Sequence, residues 1–171
     1  MKSVKILSRI LFYFARVLAY LYFGMAALSL LALTTGWGLN IREGGKYFQV
    51  YYPFTKTGFL NGDYNLTYIL FFFLLPIALY GLFFWLLSNV FKVFFQPKLF
   101  TSYGVKHLRR FYLANCIIPG ALVLVTSFFD AVEAEAFAMV VLHFTLGVFA
   151  YFFAAIFRQG VQLQKEQDLY I

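Results

Sequence analysis

The sequence predicts an all-α fold, a transmembrane bundle of four helices, and three observations support this class. First, four apolar runs occupy most of the chain, each long enough to cross the ~30 Å hydrocarbon core of a bilayer. Second, the 171 residues are 63% hydrophobic and only 12% charged, whereas about 25% of the residues in soluble domains are charged. Third, most positive charges lie beside one end of the runs. The predicted spans are 10–33, 66–91, 111–129 and 136–157.

Four spans and their connections use the whole length, so we expect a single integral membrane domain, 1–171. The first run follows Lys2, Lys5 and Arg9 and could instead be a secretory signal. Its apolar stretch, 17–33, is longer than the ~7–15 residues of a signal core, and no Ala-x-Ala cleavage site follows it. The first run is therefore predicted to be an uncleaved span.

The distribution of Lys and Arg predicts the orientation, because cytoplasmic loops of membrane proteins are richer in both. With four spans, the two termini and the middle loop share one side. That side carries ten of the 14 basic residues: Lys2, Lys5, Arg9, Lys92, Lys98, Lys106, Arg109, Arg110, Arg158 and Lys165. The opposite side carries Arg42, Lys46 and Lys56. We therefore expect cytoplasmic termini and a location in the cell inner membrane. The basic residues would meet anionic headgroups there, without direct contact with nucleic acid.

Arg16 is the one charged residue inside a predicted span. It lies about a turn and a half beyond Ile10, so its side chain can extend to the interface. We expect this arrangement, with a pairing partner inside the bundle as the alternative. Pro76 and Pro119 are expected to bend the second and third spans.

A loop rich in glycine and aromatic residues, 34–65, connects the first two spans. Alternation in 46–54, followed by a turn at 55–58, predicts a small hairpin or an extended segment. We expect this loop on the outer side as a lid over the helix ends. A recognition surface is the alternative, since aromatic residues are favoured anchors.

The middle loop predicts where the third helix begins. Pro97 ends the second helix, and Thr101 or Ser102 can cap the next one. The basic residues Lys106, His107, Arg109 and Arg110 follow. Positive charge is unfavourable at a helix N-terminus unless negative groups compensate it. Glu166 and Asp168 could supply this negative charge, but lipid phosphate is the simpler explanation.

The segment after Phe157 is predicted to continue the fourth helix out of the membrane. It has an apolar edge and ends in Leu169, Tyr170 and Ile171. An apolar end of this kind is expected to dock on something. We expect docking on the middle loop, with a cytoplasmic protein as the alternative.

These two segments resemble a bacterial four-span membrane family catalogued as a domain of unknown function (DUF2975-like). The run from Lys98, Leu99, Phe100 and Thr101 through Val105 to Leu108, Arg109 and Arg110 resembles its loop P-F-T-x-x-N-V-x-R-L-R. The residues that resemble its tail, F-x-x-G-x-x-L-x-x-E-x-D-L-T-I, are Phe157, Gly160, Leu163, Glu166, Asp168, Leu169 and Ile171. Members are often encoded beside small helix-turn-helix regulators, so the resemblance implies a regulator as a partner.

No motif in the sequence predicts an enzyme, a cofactor or a metal site. There is no Gly-rich phosphate loop, no Cys-x-x-Cys and no His-Glu-x-x-His. His107 and His143 are predicted to lie at different depths and form a poor pair for a metal or haem. Asp130, Glu133 and Glu135 could bind a cation, although a solvated acidic turn is the expected arrangement.

The leading hypothesis is a noncatalytic regulatory or interaction module whose middle loop and tail bind a cytoplasmic protein. Its predicted interaction residues are Lys98, Thr101, Lys106, Arg109, Arg110, Gly160, Leu163, Glu166, Asp168, Leu169 and Ile171. The alternative is a four-helix protein that binds a small molecule, lipid or cofactor for transport or electron transfer. That site would be built around Tyr20, His143 and the two prolines.

Overall fold

The computed structural model describes residues 2–167 and contains four long helices in that part of the chain. Helix α1 spans Lys2–Thr35, α2 spans Leu75–Phe94, α3 spans Ser102–Thr126 and α4 spans Ala134–Gln167. A π-helical segment, Tyr68–Leu74, leads into α2, and together they form 27 continuous helical residues. By length and composition, all four helices can cross a membrane. The prediction of four helices long and apolar enough to span a membrane is confirmed, as expected for a multi-pass membrane protein.

The helix ends agree with most of the predicted boundaries. α4 continues through Arg158 to Gln167, and α3 begins at Ser102, well before its apolar run, as expected. α3 ends at Thr126 rather than at the predicted residue Phe129. The hydroxyl groups of Thr126 and Ser127 donate to the carbonyls of Val123 and Leu124, and the chain then turns.

Many large apolar side chains of the helices are exposed on the protein surface. On α4, Val141, Phe144, Phe149 and Phe152 are each more than half exposed. A soluble fold would bury side chains of this size in its core. Hydrocarbon chains of a bilayer provide the apolar surroundings that these residues need.

Pro76 accounts for the π-helical segment that precedes it. Proline has no N–H to donate to the carbonyl of Phe72, and its ring crowds that carbonyl. The helix widens instead, and the N–H of Leu75 donates to the carbonyl of Leu70, five residues earlier. A bend was predicted at Pro76, and the feature that the structure shows there is a wider helical turn before the proline.

The structure divides into two compact units. The first unit contains the chain up to Val17 and from Phe83 onwards, and the second contains Leu18–Leu82. In the first unit, α3 and α4 pack against each other. A Cβ added at Gly147 would lie 2.5 Å from the sulfur of Cys116 and 3.3 Å from the carbonyl oxygen of Tyr112, so the glycine allows a close approach of the two helices.

In the second unit, the loop after α1 forms a three-stranded antiparallel sheet. Strands β1 (Leu39–Arg42), β2 (Tyr47–Tyr51) and β3 (Gly58–Asp63) lie in the order β1-β2-β3. β2 and β3 form a hairpin, as the alternation predicted, whereas β1 was not predicted. The all-α prediction thus holds for the four helices, and it did not include the three-stranded sheet.

One face of the sheet packs on the helices of the second unit. Phe48 and Val50 of β2 are fully buried and form a core with Ala32 of α1 and Phe73 of the π-helical segment. The rings of Phe48 and Phe73 meet edge to face, with centroids 5.0 Å apart. The period of two along a strand places both β2 side chains on this face.

Candidate functional site

The segment between α2 and α3 packs against the part of α4 that follows the predicted span. We call residues 95–110 together with residues 157–167 the loop–tail face. The Phe100 ring lies 5.3 Å from the Phe157 ring, centroid to centroid, in an edge-to-face contact. Phe100 also covers Gly160, where an added Cβ would lie 2.5 Å from its ring. The start of the tail therefore packs on the middle loop. The apolar end that was predicted to dock there, residues 169–171, lies outside the described residues.

A small apolar core stabilises the packing of the middle loop on α4. Val93, Leu108, Ala154 and Phe157 are buried in it. Gly104 lies over the same core, and a Cβ there would be 2.8 Å from Val93 and 3.3 Å from Phe157. Two glycines thus let a loop and two helices approach closely, which makes the loop–tail face a packed part of the first unit.

Thr101 is the N-cap of α3 and has a structural role. Its backbone is extended, and its hydroxyl oxygen accepts a hydrogen bond of 3.1 Å from the N–H of Gly104. This bond satisfies one of the backbone donors that a helix leaves free in its first turn. Of the two predicted caps, Thr101 and Ser102, the structure uses Thr101.

The charged residues of the loop–tail face point away from its core. Lys98, Lys106, Arg109, Arg110, Arg158 and Lys165 are all exposed. Leu163 is 60% exposed, and Glu166 is exposed beside it on α4. Within residues 2–167, Glu166 makes no ion pair with any of these cations.

The predicted interaction residues therefore separate into three groups. Thr101 and Gly160 stabilise the local fold, whereas Lys98, Lys106, Arg109, Arg110, Leu163 and Glu166 form the exposed surface. Asp168, Leu169 and Ile171 lie outside the described residues. The surface that the structure presents is thus basic, with one apolar residue near the end of α4.

A second notable feature of the first unit is the environment of Arg16. Its Nη2 donates a hydrogen bond of 2.8 Å to Oδ1 of Asn89. Its guanidinium carbon lies 3.8 Å from the centroid of the Trp85 ring and 5.1 Å from that of Phe12. The structure gives Arg16 the partner within the protein that the sequence left as the alternative to a purely interfacial side chain.

The sequence carried a weak signal for the partners of Arg16. Trp85 and Asn89 are four residues apart on α2, so both lie on one face of that helix. Asn89 is also the one amide side chain of the second predicted span, 66–91. The polar residue of one span is thus a natural candidate partner for the charged residue of another.

His143 and the acidic turn show no arrangement suited to a metal. Nδ1 of His143 donates to the carbonyl of Met139, 2.8 Å away on the same helix, and its ring packs edge to face on Phe83. Oδ1 of Asp130 accepts from the N–H of Ala131. Within residues 2–167, no three His, Cys, Asp or Glu side chains come together as a metal site.

Comparison with known proteins adds no relative to these observations. No protein-family model matches the chain, and no curated protein or solved structure is significantly similar to it. The loop–tail face and the surroundings of Arg16 are therefore the features from which a function can be inferred.

Proposed function

We propose that this protein is a noncatalytic regulatory module of the cell inner membrane, and that its loop–tail face binds a cytoplasmic protein. One observation carries the proposal. The middle loop and the tail pack around Phe100, Phe157 and Gly160 as one surface, and every Lys and Arg side chain on that surface is exposed. Binding on a preorganised surface of this kind costs less conformational entropy than binding on a loose loop.

The charge distribution supports a cytoplasmic position for the loop–tail face. Ten of the 14 Lys and Arg residues lie at the termini and in the middle loop. Such a bias is typical of the cytoplasmic side of membrane proteins. With four spans, both termini and the loop between α2 and α3 share one side of the membrane, so the charge bias of all three supports the same orientation.

The chemistry of the face favours an acidic partner with an apolar contact residue. Arg109 and Arg110 are exposed on the first turns of α3, and no described acidic residue neutralises them. Leu163 offers an apolar contact on the last part of α4. The resemblance to the DUF2975-like family supports a helix-turn-helix regulator as this partner.

Photo-crosslinking in living cells tests the proposal. A photoreactive phenylalanine analogue is placed at Leu163, where high exposure makes the substitution harmless to the core. We expect a discrete adduct with one cytoplasmic protein, identified by mass spectrometry. The double substitution Arg109→Gln and Arg110→Gln should lower the yield severalfold, because it removes the charges that attract an acidic partner.

The control places the same analogue at Phe128, which is 79% exposed in the turn between α3 and α4. This position is expected to give no adduct with a cytoplasmic protein. Deletion of residues 164–171 should abolish the adduct at Leu163 while the protein still inserts into the membrane. An adduct that survives both the deletion and the double charge substitution would contradict the proposal.

A further inference from the structure

The position of Arg16 requires a negative charge that the described protein does not supply. Arg16 lies six residues beyond Ile10, roughly 9 Å along the axis of α1 from the start of the predicted span. Its side chain is half-buried. Cations at such positions are costly and are paired or functional when they occur.

Among residues 2–167, the contacts of Arg16 are with neutral groups. Asn89 offers an amide oxygen, and Trp85 and Phe12 offer aromatic rings. These contacts orient the guanidinium, but they leave its charge uncompensated. Within residues 2–167, no carboxylate forms an ion pair with Arg16.

The guanidinium keeps most of its donors free for a ligand. Arginine has five N–H donors in a planar fork, and Asn89 accepts from one of the two terminal nitrogens. Trp85 contacts the group at 3.8 Å and so holds it in place. The free edge of a guanidinium matches two oxygens of a phosphate group.

The side chain also extends toward the level of the headgroups. Helical side chains tilt toward the N-terminus of their helix. Phe12, one turn earlier, accordingly lies under the guanidinium of Arg16. A phosphate of the adjacent leaflet can therefore reach the guanidinium without entering the middle of the bilayer.

Further positive charge lines the path from Arg16 to the helix ends. The guanidinium of Arg9 lies 5.6 Å from the centroid of the ring of Phe95, the residue that follows α2. Lys92 follows Asn89 by three residues on α2, and so lies close to the same face of that helix. These two cations favour an anion near Arg16 over a zwitterionic headgroup.

We infer that Arg16 and Asn89 form a binding site for the phosphate group of an anionic phospholipid, with Trp85 holding the guanidinium in place. The lipid supplies the missing negative charge, and its acyl chains follow the apolar surface of the helices. In the orientation proposed above, this lipid belongs to the inner leaflet. The site is separate from the loop–tail face and does not depend on a protein partner.

Native mass spectrometry of the full-length protein tests this site. The protein is released from detergent after titration with phosphatidylglycerol or with phosphatidylcholine. We expect one phosphatidylglycerol to remain bound to the wild type. Arg16→Gln should weaken this binding by about tenfold or more, because it removes charge-assisted hydrogen bonds. Arg16→Lys should weaken it less, since the charge remains but the fork is lost.

Asn89→Asp is the second variant, and it keeps Arg16 intact. The new carboxylate would pair with Arg16 inside the protein, so the affinity for phosphatidylglycerol should fall as it does in Arg16→Gln. The matched control is Arg158→Gln, which removes an exposed cation on α4 and should leave binding unchanged.

Two results would overturn the assignment. One is unchanged phosphatidylglycerol binding in both Arg16→Gln and Asn89→Asp. The other is a rise in the melting temperature of the wild type with inorganic phosphate, absent in Arg16→Gln, when no phosphatidylglycerol is retained. That second result would assign the same guanidinium to a soluble anion.

Discussion

Residue 160 is a glycine because the ring of Phe100 occupies the space that a side chain at this position would fill. A Cβ there would lie 2.5 Å from Cγ and Cδ1 of Phe100, closer than atoms in contact can approach. The ring has to move, and Phe100 is also in contact with Phe157. The glycine therefore sets how closely the middle loop approaches α4.

Gly160→Ala is expected to lower the stability of the protein by about 1–3 kcal/mol through overpacking. This loss corresponds to a fall of several degrees in the melting temperature. The matched control is Gly120→Ala on α3, where no heavy atom lies within 4 Å of the added Cβ. The control should gain up to about 1 kcal/mol from better helix propensity. Thermal unfolding in detergent measures both, and equal melting temperatures would disagree with the packing described for Phe100.

Single residues also show what sequence reasoning could not reach. The charge of Arg16 was evident from the sequence, but the residue that it contacts depends on how α1 and α2 are aligned. Hydropathy predicts that a helix spans the membrane and carries no information on its rotation or its axial shift. The sequence could therefore identify Asn89 as a candidate polar partner, but it could not predict the hydrogen bond between Asn89 and Arg16.

At the scale of the elements, α3 begins where the cap of its first turn lies. Thr101→Ala removes the acceptor of the Gly104 N–H and should cost about 1 kcal/mol. The loop–tail face should loosen at the same time, since Gly104 is part of its packing. Hydrogen exchange at the start of α3 measures the effect. Ser102→Ala is the control because Ser102 is exposed and should have little influence, so equally fast exchange in both variants would argue against the cap.

Elements with a strong local signal were predictable, and elements that depend on partners were not. The hairpin of β2 and β3 follows from alternation, and the start of α3 follows from Pro97 and Thr101. β1 has only four residues and is stabilised by its pairing with β2, so its own sequence does not specify a strand. The π-helical turns before Pro76 are a local response to the missing N–H; the proline predicted a bend and did not predict a wider turn.

At the scale of the whole molecule, the uneven distribution of basic residues predicts which ends of the helices face the cytoplasm. Cys116 is the only cysteine, so Cys116→Ala provides a background for single cysteines. Lys56→Cys and Lys98→Cys replace one exposed lysine on each predicted side. In intact spheroplasts, a membrane-impermeant maleimide should label Lys56→Cys and leave Lys98→Cys unlabelled.

Permeabilisation should then make both cysteines reactive, which controls for their accessibility. The opposite labelling pattern would place the loop–tail face outside and rule out a cytoplasmic partner. Composition predicted the four spans because every span lies in the same hydrocarbon core and therefore needs a long run of apolar residues. Composition does not encode contacts between particular residues, so the bond between Arg16 and Asn89 became visible only in the structure.

The unbroken course of α4 sets the distance between the membrane and anything that binds its end. The helix continues from Phe157, the last residue of the predicted span, to Gln167. At 1.5 Å per residue, this extension is roughly 15 Å long, similar to the ~13 Å radius of gyration of a 100-residue domain. A globular protein that binds the last turns of α4 in the proposed orientation would therefore lie close enough to the lipid surface to touch it. Such a partner would be acidic where it meets the loop–tail face and basic on the side that faces anionic headgroups, so the bilayer selects it as well as the helix.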